Sequence, residues 1–200
     1  MKLVVVIGGI SSGKSSVSRL FSQHGAATID LDVIGHDVLH NQSVKTALAQ
    51  AFGEDIFDQQ GEVVRPQLAK KAFANPEATA TLNGITHAQI ISDAWNLIGT
   101  YQAEGYSVCV VEISPYDGPQ GTFGVFTDKA DECIAVVAPL EQRIKRAVAK
   151  GFAEEDARNR MSRQSSDDQR RQWATRVVEN NGTAEELSTK IEHLWTEIAG

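Results

Sequence analysis

The amino-acid sequence predicts an α/β domain, three layers thick (α/β/α), built around a five-stranded parallel sheet. Three observations lead to this expectation. Apolar, β-branched runs such as KLVVVI (2–7) and YSVCVVE (106–112) lack polar alternation and read as strands buried on both faces. Helical segments separate the runs, as parallel pairing requires, because each strand must be re-entered from the same edge. The first run also ends at the glycine-rich stretch GGISSGKSS (8–16) and leads at once into a helix, which is the strand–loop–helix order of an open sheet with ligands at its strand carboxyl ends.

The elements follow in order. KSSVSRLFSQHG reads as a helix stopped by Gly25, AATID (26–30) as a second strand, and VIGHDVLH as a short helix. From about residue 43 to 101 the pattern is helical throughout, through VKTALAQAF, RPQLAKKAF and PEATATLNGITHAQIISDAWNLIG, with a polar break at GEDIFDQQGE and no strand expected. Buried-strand runs return at 106–112 and at ECIAVVA (132–138), on either side of the Gly/Pro-rich ISPYDGPQGTFG. TRVVEN (175–180) is a short fifth strand, and a helix from Ala184 to Ile198 closes the chain. The predicted core is about 1–42, 102–142 and 172–200, with a helical insertion at about 43–101 and a lid at about 143–171.

Two hundred residues with 42% apolar content can bury one real core. LVVVI is too short to span a bilayer, so a soluble, cytoplasmic protein with no membrane partner is expected. A net charge of −7 argues against nucleic acid as a partner. Between Pro139 and Arg176, however, ten Lys/Arg stand against six Asp/Glu, a cationic island of mostly solvated helix from which a few side chains can close over phosphates. Cys109 and Cys133 lie in apolar runs without C-x-x-C spacing and read as small buried hydrophobes. A monomer or weak homo-oligomer is expected.

Gly8, Gly13, Lys14 and Ser15 complete the spacing G-x-x-x-x-G-K-[ST]. Across Gly8, Gly9, Ile10, Ser11, Ser12, Gly13, Lys14, Ser15 and Ser16 the backbone can curl so that successive N–H groups point inward, an anion nest suited to a polyphosphate. Lys14 is placed to neutralise β and γ phosphates, Ser15 to ligate Mg²⁺, and the following helix adds its positive end. Strand two delivers DLD to the same edge. Asp32 can take a proton from an attacking hydroxyl with Asp30 in support, or one of the pair can simply cap the next helix, worth about 1 kcal/mol. Glu112 ends strand three, where a carboxylate can hold the water shell of Mg²⁺ or be an ordinary strand end. HDVLH (36–40) puts two imidazoles one turn apart, but Asp37 is too short for the Glu of a zinc motif and no third ligand is evident.

With these residues in view, the sequence resembles the dephospho-coenzyme A kinase family over nearly its full length. The resemblance runs from GGISSGKSSVSRLF and GAATIDLDVIGHDVL through FGEDIFDQQGEVVRPQLAKKAFANPEATATLNGITH to EEDARNRMSRQ and VVENNGTAEELSTKIEHLW. It implies a P-loop kinase fold and ATP-dependent phosphorylation of the ribose 3′-hydroxyl of dephospho-CoA, the last step of coenzyme A synthesis. It further implies that Lys14 and Ser15 hold the ATP phosphates and Mg²⁺, that Asp32 takes the hydroxyl proton, that His87 lies by the acceptor and that Asn180 lies near the adenine. On its own pattern His87 is equally a polar residue of an amphipathic helix. The chain departs from the family at His87-Ala88 in place of His-Pro, at Ile91 in place of Arg, at ISPYDGPQ after strand three, and at the lid, where AKG replaces Arg-Asp-Gly and leaves Ala149 and Lys150. An arginine on the migrating phosphoryl group is worth factors of about 10³ in rate, so Arg146, Lys150, Arg158 or Arg163 is expected to replace it. Two alternatives stay open: a related kinase with a different small-molecule acceptor, and a nucleotide-binding regulator with little turnover.

Overall fold

The computed structural model describes residues 1–200. Five strands, β1 (Lys2–Gly8), β2 (Ala27–Asp30), β3 (Val108–Glu112), β4 (Glu132–Val137) and β5 (Arg176–Glu179), form one sheet in the order β2-β3-β1-β4-β5. Every pairing is parallel. β1 is central, and Val4, Val5, Val6 and Ile7 are wholly buried, as the unbroken apolar run predicts. The chain leaves β1 towards the β2 side and later crosses from β3 to β4 on the other side, so the loop after β1 stands where the winding reverses.

The chain divides into two compact units, Met1–Asp30 with Leu97–Gly200, and Leu31–Asn96. In the first, alternate residues of the sheet (Val4, Val6, Val108, Val110, Ile134, Val136) pack with Val17 and Phe21 of α1 (Lys14–Gln23) and with Leu187, Ile191 and Ile198 of α10 (Ala184–Ala199). The period of two along each strand meets a helical stripe on each helix, which is why this face closes. The unit also holds α6 (Gly124–Thr127), α7 (Leu140–Ala149), α8 (Glu154–Ser162) and α9 (Asp167–Trp173). Ser166 and Thr183 open α9 and α10 with capping boxes to Gln169 and Glu186.

The second unit is helical: α2 (Leu31–Asp37), a 3₁₀ turn at Val38–His40, α3 (Gln42–Phe52), a second 3₁₀ turn at Glu54–Ile56, α4 (Arg65–Ala72) and the first three-quarters of α5 (Pro76–Ala103). Its own core gathers Leu39, Val44, Leu48, Ile56, Leu68 and Ala72. No strand was expected here and none forms; the polar break between Phe57 and Val63 is closed by a single isolated antiparallel bridge. No helix is long and apolar enough to cross a membrane.

Candidate active site

β1 ends at Gly8 and α1 begins at Lys14, so the phosphate-loop stretch is the whole connection. Two residues bend it: Ser11 at φ 57° and Gly13 at φ 108°. Left-handed backbone between right-handed neighbours turns consecutive N–H groups to one side, the geometry of an anion nest. Ser12 N–H donates to Gly9 O at 3.1 Å and closes the turn. No side chain caps α1, so its first turn is open to an anion. The Lys14 ammonium donates back to Gly8 O at 3.1 Å and is buried within the loop.

The glycines are dictated by close approach. A Cβ at Gly8 would stand 2.5 Å from Ser12 Oγ and 2.6 Å from the Val136 carbonyl. One at Gly13 would stand 2.1 Å from Asn180 Nδ2, and the positive φ would strain it as well.

The carboxyl edge of the sheet brings three of the expected residues together. Glu112 accepts from Ser15 Oγ at 2.8 Å and from Ser18 Oγ at 2.9 Å. Asp30 is in register with Glu112 on the neighbouring strand. Ser15 and Glu112 thus offer a hydroxyl and a carboxylate side by side, hard oxygen donors of the kind Mg²⁺ takes alongside water and phosphate oxygens. Asn180, at the end of β5, is buried below the loop. Its Nδ2 donates to Ser12 O at 2.7 Å, its N–H to Val137 O at 2.8 Å, and its carbonyl accepts from Arg146 at 3.0 Å. Arg146 also reaches Ser12 O at 3.3 Å.

The four lid cations fare differently. Arg146 lies against the loop, as just described. Arg158 is bound by Glu141 at 3.1 Å and by Glu154 at 2.9 Å, the surface pairing of a solvated helix face. Lys150 and Arg163 are exposed at the ends of α7 and α8 and make no ion pair.

Sequence reasoning missed the residues that hold the loop's outer edge. Arg143 is buried, donates from Nε to Ile10 O at 3.0 Å, and lies so close that a Cβ at Gly9 would be 2.1 Å from its Nη2. Gln164 Oε1 accepts from Ile10 N–H at 2.9 Å, so both sides of one loop residue are bonded by the 143–171 segment. Asp167 joins them, 3.5 Å from Arg143 and 2.6 Å from the buried Arg170. Burial lowers the Arg143 pKa, with Asp167 opposing the fall. The only signal available in sequence was the density of Arg in that segment, and density does not say which arginine turns inward. Ser18, one turn beyond Ser15, was missed for the same reason: its partner Glu112 is 94 residues away.

In the second unit, Asp32 is exposed in the first turn of α2, two residues after β2 ends, and His87 is half-buried along α5. ISPYDGPQ, where the chain leaves the family's pattern, is pinned rather than loose. Tyr116 is buried edge-on against Trp173 of α9 and bonds Thr127 Oγ1 at 2.8 Å, and Gly118 at φ 100° lies under the same indole. Burial pushes the Cys109 and Cys133 thiols up to about 12, so neither offers a thiolate.

With this geometry described, comparison with known proteins is informative. The family model for dephospho-CoA kinase matches residues 2–186. The dephospho-CoA kinase of Corynebacterium diphtheriae is 37% identical, over 100% of this chain and 98% of its own. Among solved structures, TT1252 from Thermus thermophilus superposes with a TM-score of 0.79 at 26% identity, covering 100% of this chain and 98% of that one. Dephospho-CoA kinase from Campylobacter jejuni, with a TM-score of 0.67 at 20% identity over 98% and 97%, shares the fold. Matched by the family model along nearly all its length and by a relative of that identity end to end, the chain belongs to the dephospho-CoA kinase family.

Proposed function

We infer that the protein transfers the γ-phosphoryl group of ATP to the ribose 3′-hydroxyl of dephospho-CoA, giving ADP and coenzyme A. Family membership identifies the acceptor; the observation that carries the chemistry is the Ser15–Glu112–Ser18 hydrogen-bonded cluster at the mouth of the phosphate loop. Backbone N–H groups of residues 8–16 and the Lys14 ammonium bind the polyphosphate. Ser15 and Glu112 are the residues that would hold Mg²⁺, directly or through water, and the ion would supply positive charge to offset that of the transferred phosphate.

Asp32 takes the proton of the 3′-hydroxyl as the oxygen attacks phosphorus, and Asp30, in register with Glu112, keeps that edge acidic. His87 lies by the acceptor. Asn180 carries the loop floor on the adenine side through its bond to Ser12 O. Of the lid cations Arg146 is favoured, since its guanidinium is already at the loop; Arg158 is the least favoured, being neutralised twice. Lys150 and Arg163, exposed and without an ion pair, are the remaining candidates.

ADP release by the purified protein, measured with ATP, Mg²⁺ and one acceptor at a time, tests this. Turnover is expected with dephospho-CoA and not with shikimate or gluconate. Tight ATP binding without turnover on any acceptor would overturn the assignment and leave a nucleotide-binding regulator.

A further inference from the structure

Glu112 is a carboxylate in a costly place: it is 6% exposed at the carboxyl end of β3, and no lysine or arginine forms an ion pair with it. Its two oxygens are divided between two hydroxyls of α1. Oε1 accepts from Ser15 at 2.8 Å and Oε2 from Ser18 at 2.9 Å. Asp30, its neighbour in register on β2, adds no positive charge. Neutral hydroxyls satisfy the hydrogen-bonding capacity of a buried carboxylate but leave its charge in place.

Ser15 and Ser18 stand three residues apart on one face of α1, yet they serve different ends of the carboxylate. Ser15 is exposed at the mouth of the loop. A serine hydroxyl has one proton and two lone pairs, so giving the proton to Oε1 turns the lone pairs away from Glu112, as a hydroxyl that ligates a cation requires. Ser18 is buried one turn deeper and touches the far oxygen.

The direction of the Ser18 bond is informative. The usual fate of a helical hydroxyl is to donate back to the carbonyl four residues earlier. Thr46, Thr81, Thr86, Thr189 and Thr196 all do so in this protein. Ser18 instead donates out of its helix to a strand. Beside the fully buried Val17 and Phe21, an alanine would serve helix and core better, so packing does not account for the hydroxyl.

We propose that Ser18 is a positioning residue for the nucleotide-bound divalent cation: it holds Glu112 by Oε2, so that Oε1 takes the Ser15 proton and the Ser15 oxygen is presented to the ion. Held by one oxygen alone, a glutamate can swing about its side-chain torsions; a second donor fixes it. This role rests on the magnesium–nucleotide reading of the loop proposed above and is independent of the acceptor.

Calorimetry separates this role from a merely structural one, with ADP titrated into the protein without metal and Mg²⁺ titrated into the ADP-saturated protein. In Ser18→Ala the Kd for Mg²⁺ is expected to rise about 10-fold, the usual effect of losing an outer partner of a metal ligand, while the Kd for ADP without metal stays within about twofold. Tm falls as Oε2 loses its donor. On a Glu112→Gln background the same substitution is expected to add nothing to the loss of Mg²⁺ affinity, because Ser18 acts through that carboxylate. An unchanged Kd for Mg²⁺ in Ser18→Ala, an equal loss of ADP affinity without metal, or additive losses in the double variant overturns the role, whatever the Tm. Wild-type protein that takes up no ADP with or without Mg²⁺ overturns this role and the kinase assignment together. Wild-type protein that binds both and does not turn over dephospho-CoA overturns the kinase assignment alone.

Discussion

At the scale of single residues the phosphate loop combines two kinds of requirement, one electrostatic and one steric. Lys14 and Ser15 are proposed to serve charge and coordination, while Gly8, Gly9 and Gly13 are there because Ser12, Arg143 and Asn180 occupy the space a Cβ would need. Gly13→Ala is therefore expected to abolish tight ATP binding in a nucleotide titration and to lower Tm, since it meets both Asn180 Nδ2 and a φ of 108°. Asp32→Asn is nearly isosteric and removes only the proposed base. ATP affinity is expected to stay near normal while kcat falls by at least about 10²-fold; an unchanged kcat would take Asp32 out of the proton transfer. The G-x-x-x-x-G-K-[ST] pattern was legible without coordinates because its chemistry is local in sequence. Ser18 was not, because its role exists only through Glu112, brought alongside by the pairing of β3 with β1.

At the scale of elements, the segment 143–171 is coupled to the loop through Ile10. Its peptide is bonded on one side by Arg143 from α7 and on the other by Gln164, from the turn between α8 and α9. Its side chain packs with Ile144, Ala147, Ala157 and Met161. α9 is held in turn by Trp173 against Tyr116 and Gly118 of the loop after β3. Arg143→Met would leave Asp167 facing Arg170 alone and free the Ile10 carbonyl. A loss of about 2 kcal/mol is expected for removing the charged donor from the Ile10 carbonyl, on the order of 5 °C in Tm for a chain of this size. ATP affinity is expected to fall with it; a variant with wild-type Tm and wild-type ATP affinity would show the contact to be idle. The sequence anticipated this segment as a cationic, mostly solvated helical lid but not the inward turn of Arg143 and Arg170, because their burial depends on tertiary neighbours that periodicity does not name.

At the scale of the whole molecule, several carboxylates are held ionised by the folded state. The Leu3 N–H, with Lys2 in support, lowers the Asp131 pKa below its usual 3.8. Bonds from Thr175 and Arg176 outweigh burial and lower Glu132 below 4.5, and Lys45 with His40 lowers Glu62 below the same value. A folded pKa below the unfolded one contributes stability that is present above the unfolded value and is lost as pH falls through the folded one. Tm is therefore expected to be flat above about pH 5 and to decline below about pH 4 as these groups take up protons. Asp131→Asn should shorten that decline when Tm is followed against pH; an identical profile would exclude the Leu3 contact as a contributor.

By itself the sequence determined what is written in local spacing and in apolar runs. The strands from β1 to β4, the loop and its cofactor chemistry, the helical stretch after β2, and the family's pattern were all legible there, because each depends on neighbours within a few residues or on burial of a continuous run. The tertiary structure decided what depends on distant partners. β5 was expected from TRVVEN, but it carries only two apolar residues, so its formation depends on the edge that Ile134–Val137 of β4 offers. Which of many arginines turn inward and which carboxylate meets Ser15 were settled by folding, since desolvation and pairing act between residues that the chain itself keeps far apart.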